Sequence, residues 1–225
     1  MIRAVVFDFD GVIANSEPLH FRAYRDVLAD RGLALSEAAY YEHYLGYDDI
    51  GAFHAIAADA GTAFSDETIA ELVARKATRL EALETDGSVL FPGAREAIAR
   101  IAAAWPVAIA SGALKAEILR VLDHESLRGH FPVVVGAEDT PASKPDPAPY
   151  LHAIELLAAI VPGLAPAECV AIEDSRWGLL SARAAGLRTV AITHTYPSAA
   201  LADVADAVID HLDRFTPALL SSLHA

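Results

Sequence analysis

Four short stretches of this chain carry the residue types that nucleophilic, acid–base and metal chemistry require: Phe7-Asp8-Phe9-Asp10-Gly11, Ser111-Gly112, Ser143-Lys144-Pro145-Asp146 and Glu173-Asp174-Ser175. Asp8 and Asp10 are two apart and share a face while the chain stays extended. Gly11 then permits a tight departure that a residue bearing a side chain would resist. If the stretches converge, Asp8, Asp10, Glu173 and Asp174 meet, with Lys144 as the one nearby cation. Carboxylates that outnumber ammonium groups in a partly dry cleft repel strongly. A hard divalent cation resolves that repulsion, and Mg²⁺ prefers one or two carboxylates plus waters and a phosphate oxygen. Ser111, Lys144 and the backbone N–H groups around Gly11 and Gly112 could then hold a phosphate. A carboxylate nucleophile, an acid/base two residues on, a metal and a lysine are the parts that phosphoryl transfer needs.

Taken singly, each stretch is ordinary. An Asp pair or a Ser-Gly step makes a turn, Lys-Pro-Asp makes a loop, and Glu-Asp-Ser caps a helix. What turn chemistry does not explain is their position. Short apolar, β-branched runs recur at Ala4–Phe7, Val107–Ala110, Val133–Val135, Val170–Ile172, Thr189–Ile192 and Ala207–Ile209, and the candidate residues follow successive runs. Such runs suit parallel strands buried on both faces. Helical patterns between them, such as Ile118, Leu119 and Leu122, indicate an open, doubly wound (Rossmann-like) parallel α/β sheet. Ligands of such sheets bind beyond the carboxyl ends of the strands, which is where the four stretches fall.

One interval breaks the alternation. Residues 16–85 contain no strand-like run and read as helices. Leu19, Ala23, Val27 and Leu28 fall on one face, and Gly32 is placed to end that helix. Ser65 can cap a second helix whose stripe runs Ile69, Leu72, Val73, Leu80 and Leu83. That much helix is too long for a loop, so residues 16–85 are expected to form a helical domain inserted into a core made of residues 1–15 and 86–225.

Composition removes other classes. Of 225 residues, 54% are hydrophobic and 21% charged, which suits a folded globular chain. No window holds the roughly 18 apolar residues of a membrane span. The amino-terminal run reaches Asp8 too early for a signal-peptide core, so a cytoplasmic protein is expected. Asp and Glu number 31 against 17 Lys and Arg, a net charge of −14 that argues against a nucleic-acid partner. Cys169 is the single cysteine and opens an apolar run, as a buried structural thiol does. The nine histidines include no His-x-x-x-His pair, so zinc chemistry is not indicated. A small phosphorylated molecule is the expected partner, and no obligate protein partner is evident.

As a set, Phe7-Asp8-Phe9-Asp10-Gly11-Val12-Ile13, Ser111-Gly112, Lys144-Pro145 and Glu173-Asp174-Ser175 resemble the four motifs of the haloacid dehalogenase superfamily. The helical insertion resembles the subfamily with a cap between motifs one and two. Ile13-Ala14-Asn15-Ser16-Glu17-Pro18-Leu19-His20 and the Lys-Pro-Asp-Pro stretch resemble its β-phosphoglucomutase-like phosphatases. The resemblance implies that Asp8 is the nucleophile forming an aspartyl-phosphate. It implies that Asp10 protonates the leaving group and then activates water, while its carbonyl joins the Mg²⁺ shell. Asp174 becomes a direct metal ligand, Glu173 a ligand or a partner behind one, and Ser111 and Lys144 hold the phosphoryl group. Asp10 favours a phosphatase or mutase, because the dehalogenases lack that second acid and the cation-pumping ATPases carry threonine there.

The resemblance assigns substrate choice to the cap. His20 matches a histidine that orders the site in sugar-phosphate mutases. Tyr44-Leu45-Gly46-Tyr47-Asp48-Asp49 occupies the place of the specificity loop, and Gly46 matches its glycine. The β-phosphoglucomutases are basic on either side of that glycine; here Leu45 and Asp49 stand there, and a carboxylate repels a second phosphate. Lys76, on the apolar stripe between Val73 and Leu80, either snorkels to solvent or looks into the cleft. Trp177 is expected to pack its helix against the core. These residues lead to a Mg²⁺-dependent phosphatase of a small metabolite such as a sugar phosphate. A phosphomutase stands as the alternative, and a non-catalytic phosphometabolite-binding protein as a third reading.

Overall fold

A computed structural model describes residues 1–44, 47, 49–84 and 87–223. The chain divides into two compact units, residues 1–15 with 89–225 and residues 16–88.

The larger unit is built on a parallel six-stranded sheet in the order β3-β2-β1-β4-β5-β6. Its strands are β1 (Ala4–Phe7), β2 (Val107–Ala110), β3 (Val133–Val135), β4 (Cys169–Glu173), β5 (Arg188–Ile192) and β6 (Ala207–Ile209). The first four are buried at every position, as the continuous apolar runs require when helices cover both faces. Strand order runs one way from β1 through β3 and the other way from β4 through β6, so the topological switch lies between β1 and β4. The sheet therefore places the residues after β1 and β4 side by side at the point where such folds bind ligands.

Alternation along each strand divides the core into two faces. Ala4, Val6, Ala108, Ala110, Cys169 and Ala171 pack with Tyr150, Ala153 and Leu157 of helix Ala148–Ala158 and with Ala182 of helix Arg176–Ala184. Small strand residues let those helices approach closely. Phe7 points to the opposite face, where its ring meets Phe131 and Phe215 edge to face, with centroids 5.9 and 5.5 Å away. Cys169 is buried, and burial pushes its thiol up to about 12, which makes it an inert structural cysteine. Two strands run longer than the apolar pattern: Glu173 pairs with Ala191 and Arg188 with Val170, so a charged residue ends β4 and begins β5.

Trp177 corrects an expectation. It is 62% exposed, because its helix turns Gly178, Leu179, Ser181 and Ala182 inward and leaves the indole on the outer face.

The segments leading out of and back into the sheet unit are joined to each other. Ala14 bridges Leu90 in antiparallel fashion, Asn15 N–H donates to Val89 O at 2.7 Å, and Phe91 N–H donates to Ile13 O at 3.0 Å.

The smaller unit contains four α-helices among its described residues: Glu17–Ala29, Glu37–Ala39 continued by a wider turn over Tyr40–Tyr44, Asp49–Asp59, and Asp66–Glu84. Pro18 sits in the first turn of the first helix, and Gly32, with φ +72°, follows its last turn. Thr68 N–H donates to Ser65 Oγ at 3.2 Å, closing the start of the longest helix. Phe21, Tyr24, Val27 and Leu28 pack with Tyr40, Tyr44, Phe53, Ile56, Ile69 and Leu72 into a core of this unit's own. Among the described residues, no helix is long and apolar enough to cross a membrane. Leu72 is fully buried in that core, so Leu72→Ala is expected to destabilise the protein by about 2–5 kcal/mol in a denaturant titration. A loss under about 1 kcal/mol would mean the helices close over the missing volume.

Candidate active site

The chain leaves the sheet immediately after Phe7. Phe9 O accepts from the N–H groups of Val12, Ile13 and Ala14, so the backbone has already turned at Asp10. This corrects the expectation that Asp8 and Asp10 project together from an extended strand into a cluster of four acids. Asp8 stays with the sheet, its N–H donating to Ile172 O at 3.0 Å, whereas the Asp10 side chain falls outside the gathered carboxylates. Asp8, Glu173 and Asp174 each offer an oxygen within 4.8 Å of the others, and all three are buried.

One cation lies among them. Lys144 Nζ donates to Asp8 Oδ1 at 2.6 Å and to Glu173 Oε1 at 2.5 Å, and sits 5.1 Å from the centre of the Tyr150 ring. Tyr150 O–H donates to Glu173 Oε1 at 2.9 Å, while Ser175 N–H and O–H donate to Oε2 at 3.3 and 3.0 Å. Glu173 thus has partners on both oxygens, and its geometry is that of a residue that fixes the lysine. Sequence reasoning missed Tyr150, which lies one turn into the helix that follows Lys144, and Gly178, where any side chain would collide with the Glu173 carboxylate. Gly11 does the same for Asp174: with φ +80° it turns beside that carboxylate, and a Cβ there would overlap it.

The electrostatics are unbalanced. Three carboxylates and one ammonium, all ionised, leave two negative charges in a buried space. At an effective dielectric of about 20, each carboxylate pair costs roughly 3–4 kcal/mol. The titration reflects this. Burial, then the charge of Glu173, holds Asp8 well above the usual carboxylate range. Burial and Glu173 likewise push Asp174 up to about 7, against the pull of the Lys144 charge. Burial opposes the Lys144 charge, but Asp8 and Glu173 outweigh it and hold the ammonium above its ordinary value. An all-oxygen donor set carrying the charge of one divalent cation in excess, with room for the Asp174 carboxylate made by Gly11, fits a hard metal ion.

Ser111 follows β2, whose Ile109 is in register with Phe7, so it lies beside the end of β1. It is buried, and its hydroxyl accepts from Ala113 N–H at 3.0 Å. Gly112 next to it is exposed, with open space where a side chain would be.

Two of the remaining candidates, His20 and Lys76, lie in the smaller unit and form a cluster with Asp49 and Tyr24. Lys76 neither snorkels nor stands as a lone charge: it is 2% exposed, and its Nζ lies 2.9 Å from His20 Nδ1 and 2.8 Å from Asp49 Oδ1. Tyr24 O–H donates to the same Asp49 oxygen at 2.6 Å, and its ring faces the ammonium at 4.9 Å. An ammonium only donates, so His20 Nδ1 accepts and the imidazole carries its proton on Nε2. Burial, then the Lys76 charge, drives His20 down to about 3 and keeps it neutral. Arg75 and Arg79 pair with Asp30 and Asp26 on this unit's surface. Leu45 and Gly46 lie outside the described residues.

A family model for haloacid dehalogenase-like hydrolases matches residues 2–186. The chain belongs to this family. It is 33% identical over 204 residues to the protein CbbY of Rhodobacter capsulatus, covering 87% of each chain. It is 32% identical over 211 residues to hexitol phosphatase B of Escherichia coli K12, covering 90% of each. The structure of CbbY from Rhodobacter sphaeroides in complex with xylulose-(1,5)bisphosphate superposes with a TM-score of 0.80 at 26% identity, covering 95% of this chain and 96% of that one. This haloacid dehalogenase-like hydrolase is a phosphomonoester hydrolase, and its buried acidic group is the feature able to hold a metal.

The charge imbalance makes a prediction that needs no substrate. MgCl₂ at about 100 times its dissociation constant is expected to raise the melting temperature by roughly 5–10 °C at pH 8. At pH 5 the rise shrinks, because Asp8 and Asp174 then hold protons that the cation must displace. Asp174→Asn abolishes the rise; a variant that still responds in full would place the cation elsewhere.

Proposed function

We propose that this chain is a Mg²⁺-dependent phosphatase that hydrolyses a small phosphorylated metabolite of the sugar-phosphate class through an aspartyl-phosphate on Asp8. The observation that carries the reading is the buried Asp8 carboxylate at the switch point, with Lys144 Nζ 2.6 Å from Oδ1 and Asp174 beside it.

In this reading an oxygen of Asp8 attacks the phosphorus, and the bond from phosphorus to the ester oxygen breaks. Asp10, as the carboxylic acid, gives its proton to the departing alkoxide. Asp10, now a carboxylate, takes a proton from a water that attacks the same phosphorus. The bond to Asp8 breaks, and inorganic phosphate leaves. Lys144 holds a phosphoryl oxygen from one side. The Ser111 hydroxyl, whose oxygen already accepts from Ala113, directs its proton to another, and backbone N–H groups near Gly11 and Gly112 complete the cradle. Asp8, Asp174 and the carbonyl of Asp10 are the proposed metal ligands, with Glu173 behind Lys144. Bound Mg²⁺ supplies positive charge that offsets the excess carboxylates and polarises the phosphoryl oxygens.

His20, Gly46 and Lys76 are proposed to read the rest of the substrate. Two relatives point different ways: one is named a hexitol phosphatase, and CbbY was captured with a bisphosphate. The Lys76 charge is already met by Asp49, which also accepts from Tyr24. A cluster with no charge to spare suits hydroxyl groups better than a second phosphate, which favours the phosphatase over a mutase working through a bisphosphate.

Phosphate release from hexose, hexitol and pentose monophosphates is expected with Mg²⁺ and not with EDTA. Asp8→Asn abolishes it, and Asp10→Ala lowers kcat by about 10²–10⁴-fold with a far smaller change in substrate binding. A wild-type protein that releases phosphate from no ester would sink the reading.

The specificity argument has its own test. Asp49→Asn leaves the Lys76 ammonium uncompensated, so the ratio of kcat/KM for a sugar bisphosphate to that for the monophosphate is expected to rise roughly 10-fold. A ratio that does not move would remove Asp49 from substrate selection.

A further inference from the structure

The turn after β5 was not among the residues picked from the sequence, yet it reaches the candidate site. His194 Nδ1 lies 2.8 Å from Gly11 O. A carbonyl only accepts, so Nδ1 carries the proton and donates. The imidazole also lies flat on Phe91, with ring centres 3.8 Å apart and planes 16° from parallel. Phe91 is tied to the same loop, since its N–H donates to Ile13 O at 3.0 Å. The turn itself is anchored from behind, where Thr193 N–H donates to Ile209 O at 3.0 Å.

We propose that His194 is a positioning residue, which holds the Asp10–Gly11 turn in place against Asp174 by donating from Nδ1 to the Gly11 carbonyl. The proposal rests on the phosphatase reading above for what Asp10 does, though not for the contact itself. Asp10 stands on a turn rather than on the strand, so the sheet hydrogen bonds that fix Asp8 do not reach it. Gly11 adds freedom of its own, as its φ of +80° marks the conformation that glycine adopts without strain. Its N–H donates to Ala14 O at 2.9 Å, which ties the turn to its own loop, and a donor on its carbonyl ties the turn to the strand end after β5. Phe91 fixes the plane of the donor, and Gly11 packs against the Asp174 carboxylate, so the turn after β5 sets the place of the proposed acid/base relative to a proposed metal ligand.

Three substitutions separate the hydrogen bond from the packing. Asn places its amide N–H near the Nδ1 position, Phe keeps a flat ring without a donor, and Gln carries its amide out toward Nε2. With p-nitrophenyl phosphate as the probe, His194→Phe is expected to lower kcat by about 10- to 100-fold while KM stays within about 2-fold. His194→Asn recovers most of the loss. If the Phe variant does not fold, His194→Gln takes its place and is expected to fall short of Asn. Nitrogen NMR of the wild-type imidazole is expected to report the proton on Nδ1. Wild-type kcat in the Phe variant, Phe and Asn variants failing alike, or a proton on Nε2 would each overturn the proposal. A wild-type protein inactive on p-nitrophenyl phosphate counts against the phosphatase reading instead, and the NMR tautomer then decides the contact.

Discussion

The candidate site depends on a single constraint: carboxylates are packed together, out of water, in greater number than the cations that face them. Asp8, Glu173 and Asp174 surround one lysine, and the excess is two charges. Burial makes that excess costly, and several features of the chain are arranged so that it persists. Parallel pairing of β1 with β4 sets Asp8 against the end of the neighbouring strand. Gly11 and Gly178 leave out the side chains that would otherwise occupy the carboxylates' space. Tyr150 and Ser175 supply Glu173 with donors that hold it beside Lys144. A fold built for stability alone would remove such an imbalance. Retaining it is reasonable where an incoming divalent cation completes the balance.

The smaller unit treats charge in the opposite way. Lys76 is more deeply buried than Asp8 or Asp174, yet it has a carboxylate, a neutral imidazole and an aromatic face around it. Its charge is satisfied within the cluster. The two clusters therefore differ in kind: one is a deficit of positive charge that a divalent cation can fill, and the other is a closed set of hydrogen bonds.

Much of this could be read in the sequence, for a physical reason. Strands buried on both faces show as continuous apolar runs, and polar residues at their ends stand out against them, so Asp8, Ser111, Lys144, Glu173 and Asp174 could be located from pattern alone. The separation of Asp8 from Asp10 could not, because it depends on where pairing stops and Phe9 O begins to collect N–H groups. Trp177 was misjudged because a helix's inward face depends on which of its small residues meet the sheet, and Gly178 and Ser181 took that face. The partners of Glu173 and Lys76 are remote in sequence, and periodicity says nothing about which remote residues meet. His194 was reachable in principle. The rule that led to the ends of β1, β2 and β4 applies equally to the end of β5, where Thr193-His194-Thr195 stands.

What the smaller unit's cluster can discriminate follows from its hydrogen-bonding inventory. His20, protonated on Nε2, is a donor with no charge, and Asp49 is an acceptor whose charge Lys76 cancels. Neutral donors and compensated acceptors are poor anchors for an anion, because they offer little Coulomb energy to offset its desolvation. They are good readers of hydroxyl groups, because a ligand that lacks the hydroxyl leaves them buried and unpaired, and that loss is larger than any difference a purely apolar pocket can generate. On the proposed phosphatase reading, a sugar portion that met this cluster would be chosen by the positions of its hydroxyl groups, while a phosphate held by Lys144 would contribute affinity common to every monophosphate.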